Sequence, residues 1–261
     1  MFWRTASGDV DLGRPVQLGI LNLTPDSFSD GGRFEAPAAA LAQAGHLAQA
    51  GCGMLDLGAE STRPGADPVS PGTEWERLRA VLPMLRKQLP QVSISVDTRH
   101  PRVAERALDC GAAVINDVAG CSDPAMLQLV RTGRCGIIAM RSRMHDGRLF
   151  MPDYGTEATS SPDAAIAELE EVKTRLLDAG IAPERILLDP GFGFGTTYAE
   201  DLALWRALGE LPERLAWPVE RFCVAVSRKR FLAWRAGVPG LPPRERDELT
   251  RAAHGEAMAL G

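Results

Sequence analysis

Asp56, Asp97, Asn116 and Asp189 lie on or beside four short apolar runs of the chain. Burying a carboxylate without a partner is costly, so something must hydrogen-bond these groups. A planar heterocycle with amino and ring N–H donors would suit them, because an ionised carboxylate accepts two such bonds side by side. Taken singly, each could instead cap a neighbouring helix or pair with an arginine.

Other motifs carry complementary chemistry. S-T-R-P-G (61–65) places a hydroxyl, a guanidinium and a stiff turn together. The fork of Arg63 matches the oxygens of a phosphate, although a solvated loop arginine is the alternative. S-R-K-R-F (227–231) sets three cations in a row, which calls for a bound anion or an electron-rich ligand unless the turn is exposed. Lys229 could donate there to a carbonyl or a ring nitrogen. G-F-G-F-G (191–195) lets backbone approach a flat ligand closely, with Phe194 or Phe192 as a wall. It lacks the Lys-Ser/Thr ending of a P-loop. Asn22 could bind a hydrated metal or a phosphate oxygen, or brace the loop after it. The four histidines show no metal-ligand spacing, and neither a Ser-His-Asp order nor H-E-x-x-H is present.

The elements that must position these residues alternate along the chain. Apolar runs end at Asn22, Glu60, Asp97, Asn116, Met140, Asp189 and Ser227. Each is followed by a loop and a stretch that reads as a helix. Helices are expected over 37–50, from a Thr73 cap to about Leu89, from Pro101, from Pro124, over 162–179, over 200–208 and over 244–260. Alternation of this kind implies parallel strands with crossover helices. No G-x-G-x-x-G opens the first helix, and polar strand ends are spread over the whole chain, which favours a closed barrel over an open sheet. The expectation is a single α/β domain over 1–261, a (β/α)8 TIM barrel whose eighth unit is missing from the sequence.

The 261 residues are ample for one such core. A net charge of −5 argues against a broad nucleic-acid surface. The five scattered cysteines form no Cys-x-x-Cys pair and read as reduced, buried thiols. The N-terminus lacks the apolar core of a secretory signal, and no run approaches the roughly 18 apolar residues of a membrane span. A cytoplasmic protein without membrane or nucleic-acid partners is expected.

The stretches L-G-I-L-N-L-T-P-D-S-F-S-D-G-G (18–32), E-S-T-R-P-G-A (60–66), I-S-V-D-T (94–98), V-I-N-D-V (114–118), L-D-P-G-F-G-F-G (188–195) and S-R-K-R-F (227–231) together resemble dihydropteroate synthase. The resemblance implies a transferase of folate biosynthesis. Such an enzyme condenses 6-hydroxymethyl-7,8-dihydropterin pyrophosphate with p-aminobenzoate, giving dihydropteroate and pyrophosphate. It further implies that Asp97, Asp189, Lys229 and Arg63 are catalytic. Asn116, Met140, Phe194 and Gly193 would line the pterin site. Thr62, Pro64 and Ser227 would join Arg63 in shaping the p-aminobenzoate and phosphate sites. Asn22 would help hold magnesium, and the enzyme would be a homodimer. A pterin-binding paralogue of weak activity and a pterin-dependent methyltransferase domain are the competing readings. Thr196 stands where the family usually has lysine, Ala59 where it has glycine, and M-R-S-R-M-H-D-G-R (140–148) departs from M-H-M-x-G-x-P. The family's eighth strand carries Arg-x-His, so the natural chain is expected to continue beyond Gly261.

Overall fold

Apolar runs pair in parallel, and the helices between them pack outside, as the alternation predicts. The computed structural model describes residues 1–24, 35–61, 67–145, 148–152 and 160–260. An antiparallel hairpin, β1 (Phe2–Thr5) and β2 (Gly8–Asp11), comes first. The parallel strands are β3 (Leu18–Asn22), β4 (Met54–Gly58), β5 (Ser93–Asp97), β6 (Val114–Asp117) and β7 (Gly136–Met140). Two-residue strands β8 (Met144–His145) and β9 (Arg148–Leu149) pair after β7, and β10 (Ile186–Asp189) resumes the parallel sheet. The helices are α1 (Glu35–Gln49), α2 (Pro71–Arg79), α3 (Leu82–Gln88), α4 (Pro101–Asp109), α5 (Pro124–Thr132), α6 (Asp163–Asp178), α7 (Tyr198–Arg206), α8 (Leu211–Arg214), α9 (Arg230–Arg235) and α10 (Asp247–Met258).

The six-stranded sheet runs β3, β4, β5, β6, β7, β10, so consecutive strands are always neighbours. That is barrel order, and the fold is an α/β barrel. The segment expected as the seventh strand is extended but makes only one parallel bridge, Phe222 to Leu188. Among the described residues no strand fills the seam between this segment and β3, and Ile20 is 46% exposed.

Alternation along the strands explains how carboxylates can sit on apolar runs. Successive side chains point to opposite faces. Leu21, Leu55, Leu57, Ile94 and Val96 point outward and join one helix-covered core. Ile115, Ile137, Ala139, Ile186 and Leu188 join the other. The intervening residues face the barrel interior. At its N-terminal end these are apolar: Met54, Val114, Ile138 and Leu187 pack with Trp3. The hairpin was not anticipated from sequence, yet it closes this end. Trp3 is 3% exposed and donates its indole N–H to Arg185 O at 2.9 Å. Arg221 ties the hairpin further by donating to Phe2 O at 2.9 Å.

Helix boundaries show two corrections. The expected helix from Thr73 to Leu89 is two helices, α2 and α3, separated at Ala80 and Val81. Pro83 in the first turn of α3 has no N–H to bond back into α2, so it fits a fresh start. The cap of α2 is Ser70, whose Oγ accepts from Thr73 N at 3.1 Å. The chain 163–178 and 247–258 is helical close to where expected, and α7 begins at a full capping box between Thr197 and Glu200.

Candidate active site at the C-terminal ends of the strands

The inner face turns polar toward the C-terminal ends of the strands, where barrels carry their chemistry. Asn22, Gly58, Asp97 and Asn116 lie in one row of the register. Gly58 leaves the row open, since a Cβ there would stand 3.4 Å from Asp97 Oδ2 and 3.5 Å from Asn22 Oδ1. Those two oxygens flank one small gap. A hard-oxygen donor set of this kind suits magnesium, which keeps water and phosphate oxygens in its shell.

One layer below, Asp56 accepts a hydrogen bond from Asn116 Nδ2 at 2.9 Å. Its other oxygen, Oδ1, and the neighbouring Ser95 hydroxyl are both buried, and the hydroxyl beside it favours the ionised carboxylate. Burial raises the Asp56 carboxyl above the usual range. Burial raises Asp97 well above it too, and the surrounding charges of Asp56, Glu74, Asp117 and Glu60 add to the effect. Buried carboxyls in two adjacent layers thus offer acceptors that a ligand's N–H donors would satisfy.

Across the mouth, Asp189 is 3% exposed and its Oδ1 accepts from Gly191 N at 2.7 Å. Burial lifts its carboxyl to about 6. Lys229 faces this group. Burial lowers its ammonium to about 8, although Asp189, Asp201 and Asp97 pull the other way. Its Nζ stands 3.9 Å from the Phe194 ring centroid. Of the two phenylalanines offered as a wall, Phe194 is thus at the site. Phe192 is fully buried and stacks on Phe231 at 5.4 Å. Met140, 4% exposed, ends β7 beside Asp189 in the register.

Gly193 N donates to Asp201 Oδ1 at 2.9 Å, and the Thr196 hydroxyl donates to the same oxygen at 2.7 Å. Burial pushes the Asp201 carboxyl up to about 6. Asp201 escaped the sequence reading because it sits inside a helix with nothing in its spacing to mark it. Thr196 takes up a structural bond at the position where lysine was expected.

The three cations of 228–230 need no common anion. Arg228 forms a two-pronged pair with Asp247, at 2.5 and 2.8 Å. Its backbone is left-handed, with φ of 55°. Thr250 Oγ1 accepts from Arg228 N, and Arg246 donates to Arg228 O. Helix α10 therefore fixes the turn that presents Lys229. Ser227 is exposed at the start of that turn.

Glu60, Glu74 and His100 also meet near the rim. Arg99 already neutralises Glu60 through bonds of 2.9 and 3.0 Å, and His100 Nδ1 lies 2.6 Å from Glu74 Oε2. Thr62, Arg63 and Pro64 lie outside the described residues, as does most of the loop that follows Asn22.

The sequence profile of the pterin binding enzyme family matches residues 18–261. The dihydropteroate synthase of Bacillus subtilis is 39% identical over 241 residues, which are 92% of this chain and 78% of that protein. Two solved structures are similar. The Burkholderia cenocepacia dihydropteroate synthase complexed with 7,8-dihydropteroate superposes with a TM-score of 0.81 at 34% identity, covering 100% of this chain and 88% of that one. The Xanthomonas albilineans enzyme with 4-aminobenzoic acid gives 0.81 at 36%, covering 97% and 87%. On the profile match and on these relatives, the chain belongs to the dihydropteroate synthase family of pterin binding enzymes.

Proposed function

We infer that the protein is a dihydropteroate synthase, joining 6-hydroxymethyl-7,8-dihydropterin pyrophosphate to p-aminobenzoate in folate biosynthesis. The observation that carries this reading is the convergence of Asp97, Asn116 and Asp189 on the inner face, opposite Lys229 and Phe194. A pterin is flat and rich in N–H donors. Its donors match the carboxylates, and Lys229 is the one described cation placed to donate to its acceptors. Met140 and Phe194 give it apolar surfaces, and the left-handed Gly193 lets the loop lie close.

In the reaction the exocyclic C–O bond breaks and pyrophosphate leaves with the bonding pair. Positive charge develops on the pterin. Asp189, and Asp97 in its ionised form, favour that charge electrostatically from fixed positions inside the barrel. The arylamine lone pair then forms the new C–N bond, and the amine loses a proton. No side-chain nucleophile is needed. Asn22, with Asp97 beside it, would hold magnesium, which neutralises charge on the leaving pyrophosphate when bound. Arg63, Thr62, Pro64 and Ser227 are assigned to the arylamine and phosphate side. A homodimer belongs to the same reading, supported by the exposed Val238 after α9 and the exposed Met258 and Leu260 at the end of α10.

Turnover with both substrates and magnesium, followed by chromatography of dihydropteroate, tests the reading. Formation of product is expected. Binding of the pterin substrate without product would replace it by a pterin-binding paralogue.

A further inference from the structure

The segment after β7 departs from the family pattern, and it grips the glycine loop. Arg141 is 1% exposed. Its N–H donates to Asp189 O at 3.1 Å, its Nε to Pro190 O at 2.8 Å and its Nη2 to Gly191 O at 2.8 Å. Two residues on, Arg143 N donates to Phe194 O at 3.2 Å and Nη1 to Gly195 O at 3.3 Å. These two residues thus satisfy the carbonyls of 189, 190, 191, 194 and 195. Glu168 of α6 joins them, taking Arg141 Nη1 at 3.0 Å and Arg143 Nε at 2.8 Å. Glu200 takes Arg143 Nη1 at 2.8 Å and also caps α7.

The two backbones are interlocked. A Cβ on Gly191 would fall 1.9 Å from Arg141 O, and one on Gly195 would fall 2.6 Å from Arg143 Cβ. A guanidinium makes this grip possible, because only its planar fork spans adjacent carbonyls and a carboxylate at once.

We propose that Arg141 and Arg143, linked through Glu168, are positioning residues that hold the 189–195 backbone so that Asp189 and Phe194 meet the pterin. The proposal rests on the function inferred above. Neither arginine touches the ligand. Each acts through the loop, so the effect falls on one substrate and spares the other. The buried positive charge of Arg141 also favours the ionised forms of Asp189 and Asp201.

The test compares wild type with Glu168→Gln, Arg143→Gln and Arg143→Lys. The first two are partly exposed changes that fold more safely than a change at Arg141. Steady-state kinetics give KM for dihydropterin pyrophosphate and for p-aminobenzoate separately. Hydrogen exchange follows the amides of 191–195 without any ligand. Weakening the charge-assisted bonds that Glu168 and Arg143 make is expected to raise the pterin KM by about tenfold or more in Glu168→Gln and Arg143→Gln. The p-aminobenzoate KM should stay within about twofold, and exchange in 191–195 should quicken while β3 to β5 are unchanged. Arg143→Lys should recover part of the loss. Equal shifts in both KM values, or unchanged exchange in 191–195, would overturn the proposal. If wild type itself neither binds nor turns over the pterin, the functional reading fails, and the exchange comparison still decides the clamp.

Discussion

Lys229 Nζ lies 3.9 Å above the ring centroid of Phe194, on the side of the site that also holds Asp189. The ring shields the ammonium from water while the carboxylate attracts it, and burial dominates, leaving the lysine at about 8 and Asp189 at about 6. The pH dependence follows from the signs. Below about 6 Asp189 takes up a proton and loses acceptor capacity, and above about 8 Lys229 gives up the proton that makes it a donor. The profile of kcat/KM for dihydropterin pyrophosphate should be a bell between those limits, whose limbs belong to the cluster as a whole. A flat profile from about pH 5.5 to 8.5 would remove these groups from substrate recognition.

The same two groups lower stability near neutrality. A carboxyl raised to about 6 costs stability as pH rises from its unfolded value through 6, and an ammonium lowered to about 8 costs stability as pH falls from its unfolded value through 8. Both costs are present at pH 7. The double variant Asp189→Asn, Lys229→Met should therefore be more stable than wild type at pH 7, by about 1–4 kcal/mol, while losing pterin turnover. Calorimetry beside an activity assay checks both halves. A double variant less stable than wild type would mean that the pair supports the fold.

Thr196→Val should uncover what Thr196 does. The hydroxyl is fully buried and bonds Asp201, which is 1% exposed. Removing it leaves Asp201 with Gly193 N as the donor that remains. The expected loss is about 1–3 kcal/mol at pH 7.5. Because that bond favours the ionised carboxylate, the Asp201 value should climb above about 6, and the loss should shrink as pH falls below it. Urea titrations at pH 7.5 and 4.5 measure the difference. Equal losses at both values would make the hydroxyl a packing group only.

Two glycines with similar backbones separate conformational cost from crowding. Gly180 has φ of +79° with open space around it, and Gly191 has φ of +70° against Arg141 O. Gly180→Ala should cost about 1–2 kcal/mol, the left-handed penalty alone. Gly191→Ala adds overpacking and should cost a further 1–3 kcal/mol or so, and raise the pterin KM as the loop shifts. Similar melting temperatures for the two variants would show that the loop yields freely.

What the sequence made legible is what periodicity and residue chemistry carry. Asp97, Asn116 and Asp189 stood out because a charged or amide group on an apolar run demands a reason. The alternation that faces them inward is local. The gripping of 189–195 is not local: Arg141, Glu168 and Gly191 are brought together from three elements, and no spacing rule links them. Hairpin β1–β2 escaped notice because its strands are four residues each and mostly exposed. The cap at Ser70 was misplaced by three residues, since Ser70 and Thr73 are both capping types. The seventh strand was read as regular from its apolar residues, but the segment meets the sheet through one bridge, Phe222 to Leu188, so no continuous ladder forms.

The floor of the barrel has a further consequence for how the chain assembles. Trp3 is bonded 182 residues along the sequence, at Arg185, and Phe2 is bonded 219 residues along, at Arg221. Contacts of such separation form late, after the loops between them have closed. On a ribosome the first residues made are thus among the last to be seated. Until Arg185 and Arg221 have emerged, the indole that covers Met54, Val114 and Ile138 lacks its hydrogen-bond anchor, and the hairpin lacks its last tie. The earliest tryptophan thus finds its hydrogen-bond partner only once most of the chain has been made.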